Sequence, residues 1–126
     1  MATDQQIEQE IQDKGLTAAR ITPELIEQNI RSEVYFTATD GINGGRESKT
    51  GVVKSEYQEG VRFLAPCDLL TFCVLVLKNG FTVTGESACA SPENFDAEIG
   101  RKIARQNAIA KIWPLMGYEL RSKLAA

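Results

Sequence analysis

Turn signals divide the chain into four parts, each with its own spacing of apolar positions. In the first, Ile7 and Ile11 stand four apart among Gln, Glu and Asp. That spacing predicts a helix over residues 3–14, with Thr3 as N-cap and Gly15 just past its end. Two apolar positions make a weak stripe, so this helix is expected to dock loosely or to pack on a partner chain. Thr22-Pro23 then reads as an N-cap and first helical position. Leu25, Ile26, Ile30 and Val34 continue at helical spacing, which predicts a helix from 23 to at least 32. The stretch 34–39 is β-branched and aromatic and can extend that helix or begin a strand.

The second part, 40–60, has five glycines and mostly polar residues, the composition of a long loop with at most one short edge strand. A loop of that length in a small domain is usually functional, so its tip is a candidate lid or interface. The third part is a near-continuous apolar run, LLTFCVLVL over 69–77, which predicts a strand buried on both faces. Asn79-Gly80 between apolar segments predicts a type I′ hairpin turn. On the return strand Phe81, Val83 and Gly85 share one face and Thr82, Thr84 and Glu86 the other.

In the fourth part Ser91-Pro92 reads as an N-cap and first position of a helix that runs to about Trp113, where Pro114 stops it. A wheel places Phe95, Ile99, Ile103, Ile109, Ala110 and Trp113 on one side and Ala97, Gly100, Ala104 and Ala108 on the other. The small-residue side suits the close approach of a second helix or a sheet. A last short helix is expected over 118–124. Together these elements predict an α+β class: a small antiparallel sheet packed against C-terminal helices, with an N-terminal helical segment. The 126 residues are expected to form a single domain, with a helical arm at 1–21, a core at 22–126 and a flexible loop at 41–66.

Composition changes the picture chiefly by what it lacks. The chain has no histidine, which removes Ser-His-Asp and Cys-His nucleophiles, imidazole acid-base catalysis and His-ligated metals. Its net charge of -3 argues against a surface attracted as a whole to nucleic-acid polymers. Cys67, Cys73 and Cys89 lack the spacing of a metal or redox site and read as small hydrophobes. The polar, acidic N-terminus is unlike a signal peptide, and the nine-residue apolar run is about half of a membrane span, so a reduced, cytosolic protein with no membrane contact is expected.

Few residues remain that carry chemistry. Arg101 and Arg105, four apart beside small residues, can hold a phosphate or pyrophosphate, or can form a solvated pair with neighbours such as Glu98. Phe81, directly after the turn, is either a hairpin-end core residue or an exposed platform for a base. Asn94, Ser91, Thr82, Thr84 and Ser87 cluster in sequence near the strand end and the helix start, where N–H groups favour anions, although capping explains Ser91 as well. Glu93 and Asp96 read as compensating the helix dipole rather than as metal ligands. No catalytic residue, metal site or cofactor is expected.

The segments LTFCVLVLKNGFTVTGESACA (70–90), PENFD (92–96), IGRKI (99–103), Asn107-Ala108 and IWPL (112–115) resemble a family of small tailed-phage proteins known by gene-product number. The resemblance covers roughly residues 22–121; the first 20 residues and the loop at 41–66 match poorly. The family is identified with the phage anti-Thoeris sponges, which sequester cyclic ADP-ribose isomers made by bacterial TIR-domain immune enzymes without degrading them. It implies an antiparallel sheet against C-terminal helices, a homo-oligomer (dimer or hexamer) in the host bacterial cytoplasm, and a small cyclic nucleotide held between sheet and helix near a subunit interface. Some such sponges are similar in also binding cyclic oligonucleotides. By position, Phe81 would pack on the adenine, Arg101 and Arg105 would face the pyrophosphate, and Asn94 would contact base or ribose; Arg46 or Arg62 of the loop are further candidates. The competing readings are a protein that inhibits a host protein directly, suggested by Glu8, Glu10 and Asp13, and a phosphodiesterase, which needs converging metal ligands.

Overall fold

The computed structural model describes residues 2–51 and 64–126. Helix α1, Asp4–Asp13, starts on a reciprocal cap: the Thr3 hydroxyl accepts from the Gln6 amide, and the Gln6 side chain accepts from the Thr3 amide. Past its end Gly15 takes a left-handed φ of 69°. None of its residues is buried, as a two-residue stripe implies. Helix α2, Pro23–Gln28, is capped by the Thr22 hydroxyl and buries Pro23 and Ile26. It is shorter than its apolar spacing predicts. Ile30 and Val34 belong instead to strand β1, Ile30–Thr37, because a β-branched and aromatic run gains more from pairing beside another strand than from continuing an exposed helix.

Strands β2, Leu70–Leu77, and β3, Thr82–Ala88, complete an antiparallel sheet in the order β1-β2-β3. The register Tyr35–Cys73–Gly85 and Thr37–Thr71–Ser87 sets one face; Val34–Val74–Thr84 and Phe36–Phe72–Glu86 sets the other. Among the described residues only the first is closed. Thr71, Cys73, Leu75 and Leu77 are buried while Phe72, Val74 and Val76 are half-buried, so the expectation that β2 is buried on both faces is corrected. Among the described residues one layer covers the sheet, and the second face keeps Val34 48% exposed. The Phe36 and Phe72 rings stack on that open face, 5.6 Å between centroids.

The hairpin also departs from the expected type I′ turn. Only Gly80 takes a positive φ, 88°, while the Asn79 side chain accepts from the Phe81 amide. With Gly80 N bonded to Leu77 O and Leu77 N to Phe81 O, this is the three-residue loop in which a left-handed glycine follows the turn.

The covering layer is helix α4, Ala97–Ala125, about 43 Å long at the α-helical rise of ~1.5 Å per residue. Its N-cap is Asp96, whose carboxylate accepts from the Ile99 amide, not Ser91. Ser91-Pro92 opens only a 3₁₀ turn, Pro92–Asn94. Pro114 does not stop the helix either, and the expected separate helix at 118–124 is its continuation. Ala110, whose carbonyl loses its partner four residues on, is solvent-exposed, so water can satisfy it. The small-residue side faces the sheet: Gly100, Ala104, Ala108 and Ile112 are buried, while Ile99 and Ile103 on the other side are 56% and 42% exposed.

The glycine-rich stretch also differs from the loop its composition predicts. Ala38–Ser48 forms helix α3 despite Gly41, Gly44 and Gly45, because Thr37 and Asp40 build a second reciprocal cap at its start and the Thr39 hydroxyl bonds Asp68. Ala65–Leu69 forms a 3₁₀ turn leading into β2. Residues 52–63, Arg62 among them, lie outside the described residues. The architecture is α+β, as the pattern predicts, and no described helix is long and apolar enough to cross a membrane.

Candidate functional site

The two arginines of α4 have different surroundings. Arg105 lies over the β1 side of the sheet, where its Nη1 and Nη2 donate to the two carboxylate oxygens of Glu27 at 2.9 and 2.6 Å and its Nε donates to Glu33. One guanidinium thus ties α2, β1 and α4 together. Hydrogen bonding to Arg105 holds the Glu27 carboxyl below its usual range, and the same bonds raise Arg105 further. Beside this triad, burial pushes the Tyr35 phenol and the Cys73 thiol up, so both are neutral and Cys73 is no nucleophile.

Arg101, one turn earlier, is exposed and makes no ion pair or side-chain hydrogen bond among the described residues. The i,i+4 contact with Glu98 is taken by Lys102 instead. Arg101 follows Gly100, which sits so close over Thr71 that an added Cβ would lie 3.1 Å from the Thr71 hydroxyl. Thr71 is paired with Ser87 across the sheet, and Asn94 ends the 3₁₀ turn just before α4. Arg101, Ser87 and Asn94 therefore belong to one end of the sheet. Arg101 shares the flank of Arg105, toward β1, while Ser87 is on β3, so they stand at one end of the sheet but toward different edge strands. A guanidinium, a hydroxyl and an amide at that end can meet phosphate oxygens and ribose or base edges. The Ser91 hydroxyl is engaged by Glu93, which lowers the Glu93 carboxyl.

Phe81 stands at the opposite end. Its ring is 56% exposed, which favours the platform over the core role. Six residue steps along the strand separate it from Ser87, about 20 Å at the usual rise of ~3.3 Å per residue. A single chain therefore does not close Phe81 and Arg101 around one small ligand. Thr82 and Thr84 project from the open face, on the side of the sheet away from Ser87. Arg46 belongs to α3.

Two further α4 residues were not among the site candidates read from the sequence. Lys111 reaches the Thr84 hydroxyl at 3.5 Å, and Asn107 donates to the Glu86 carbonyl at 2.7 Å. Both lie over the outer edge of β3 and satisfy groups an edge strand leaves open. Asn107 stands in a segment that carries the family resemblance, and the edge carbonyl gives it a structural task. Glu27 and Glu33 lie 78 and 72 residues from Arg105, too far for any local signal to announce the triad. Among the described residues no group of three His, Cys, Asp or Glu is placed to hold a metal ion.

A family model described as the phage protein (N4 Gp49/phage Sf6 gene 66) family matches residues 21–124. It takes in α2 through nearly all of α4 and leaves out α1. No curated protein and no solved structure matches the chain.

Proposed function

We propose that this chain, which belongs to the phage protein (N4 Gp49/phage Sf6 gene 66) family, is an anti-defence protein that binds a cyclic nucleotide-type immune signal and holds it unchanged. The ligand is a cyclic ADP-ribose isomer, with cyclic oligonucleotides as further candidates. The protein acts as a homo-oligomer in the host bacterial cytoplasm and is not an enzyme.

The observation that carries this reading is the contrast between the two arginines. Arg105 is committed to Glu27 and Glu33, while Arg101, at the same end of the sheet as Ser87 and Asn94, makes no ion pair among the described residues and has a guanidinium available to a phosphate oxygen. An exposed aromatic about 20 Å away supplies a surface for a base, but only if a second copy brings its Phe81 toward this end. The open sheet face, with Val34, Phe36, Phe72 and Val74, is the surface on which copies would associate. Association would also enclose the ligand, which sequestration requires.

The test uses purified protein mixed with the product of a TIR-domain enzyme, freed of unbound small molecules and then heated. Release of the intact signal, detected by mass spectrometry, is the expected result. Recovery of a cleaved product would replace sequestration by catalysis, and an empty eluate would remove the ligand altogether.

A further inference from the structure

A trough runs where the N-terminal arm leans over α2 and α4. One recess, of about 560 Å³, is lined by the apolar groups of Pro23, Ile109, Ala110 and Trp113, with Asp4 and Glu27 on its walls. Through the shared residues Gln5, Pro23 and Glu27 it adjoins a second, of about 480 Å³, lined by Glu8, Arg20 and Glu24. The arm touches this floor lightly. Helix α1 buries no residue, and its polar link to α4 is the Trp113 indole N–H donating to Asp4 at 3.1 Å.

The charges around the trough select its occupant. Four carboxylates line it, those of Asp4, Glu8, Glu24 and Glu27, against one lining cation, Arg20. Arg20 grips Glu8 with both terminal nitrogens at 2.6 Å, and Arg105 balances Glu27 from the α4 side. Among the described residues Asp4 and Glu24 have no ion-pair partner, so phosphates are repelled and a cation is favoured. The two recesses together exceed what one drug-sized ligand fills, so the occupant is extended.

We propose that the trough binds a basic peptide segment of a partner protein, which lays apolar side chains on Trp113 and Ile109 and sets lysine or arginine against Asp4 and Glu24. The arm that forms one wall lies outside the family-matched residues 21–124. Peptide binding here does not depend on the nucleotide reading, which rests on Arg101 near the start of α4, outside the trough lining.

Trp113 is the sole tryptophan and reports on its own surroundings. The full chain is titrated, with indole emission as readout, against a hexapeptide amide alternating lysine and leucine, its glutamate-leucine counterpart, and spermine. A saturable change with the basic peptide alone is expected, weakened about tenfold between 0.05 and 0.5 M salt. In Glu24→Gln, whose folding is checked by circular dichroism, affinity falls roughly threefold, and Glu24→Asp retains it. An indole that does not respond, an equal response to the acidic peptide, a match by spermine, or undiminished affinity in Glu24→Gln would each overturn the proposal.

Discussion

Gly85 of β3 lies directly against Ala108 of α4. A Cβ built on Gly85 would fall on the Ala104 carbonyl oxygen and the Ala108 amide nitrogen, and 2.9 Å from the Ala108 Cα. The contact is backbone on backbone, so no side chain can swing aside, and the helix has to move off the sheet to admit one methyl. Gly85→Ala is therefore expected to lose about 3 kcal/mol or more, at the upper end of overpacking costs. Urea unfolding followed by circular dichroism measures this, and a loss under 1 kcal/mol would contradict the packing.

The contrast between Arg105 and Arg101 separates stability from binding. Arg105→Ala strands two carboxylates at the junction of α2, β1 and α4. Because Glu27 and Glu33 keep 50% and 38% of their side-chain surface, solvent screens the loss to about 1–2 kcal/mol. Arg101→Ala should change stability by less than about 0.5 kcal/mol, as surface substitutions do. It should also abolish retention of the TIR-enzyme product on the folded protein; full retention would move the phosphate site elsewhere.

The elements that could be read from the sequence are those whose signals are local. Thr3 and Thr22 cap where their spacing places them, and the alternation along β3 holds, with Val83 and Gly85 buried and Thr82 and Thr84 exposed. What the sequence concealed was decided across the fold. Ile30 and Val34 fit a helix by spacing and became a strand because Leu77 and Val74 stand opposite them. Asp96 took the cap assigned to Ser91, and Pro114 stayed helical where Ala110, whose carbonyl it leaves without its helical partner, is exposed. The arginines divided for the same reason. Arg101 and Arg105 look alike in the chain, and only the distant Glu27 and Glu33 tell them apart.

Helix α3 gives opposite predictions for two adjacent glycines. Nothing lies within 4 Å of a Cβ on Gly44, so Gly44→Ala should raise stability by about 0.5–1 kcal/mol through helix propensity and a less free unfolded chain. On Gly45 a Cβ would be 2.8 Å from the Gly51 Cα. Gly45→Ala should therefore lose stability or gain none. Thermal unfolding of the two variants in parallel decides the pair, and equal shifts would mean that the helix end does not pack against Gly51.

The N-terminal arm carries a pH dependence of definite sign. Hydrogen bonds from Arg20, and then from Gln12, lower the Glu8 carboxyl from its ordinary value near 4.5 to about 2. A carboxyl depressed in the folded state stabilises fully above the unfolded value and loses that contribution as pH falls through the folded one. The stability that the Glu8–Arg20 contact contributes should thus be full at neutral pH, decline below about 4.5 and be gone below about 2. With it goes a contact that, beside the Asp4–Trp113 hydrogen bond, helps hold α1 in place. Carboxyl-carbon NMR of Glu8 should titrate near 2, and Trp113 emission should shift across the same acid range. In Glu8→Gln the Trp113 shift should already be present in part at pH 7. A Glu8 titration near 4.5 would mean that Arg20 does not hold the arm in solution.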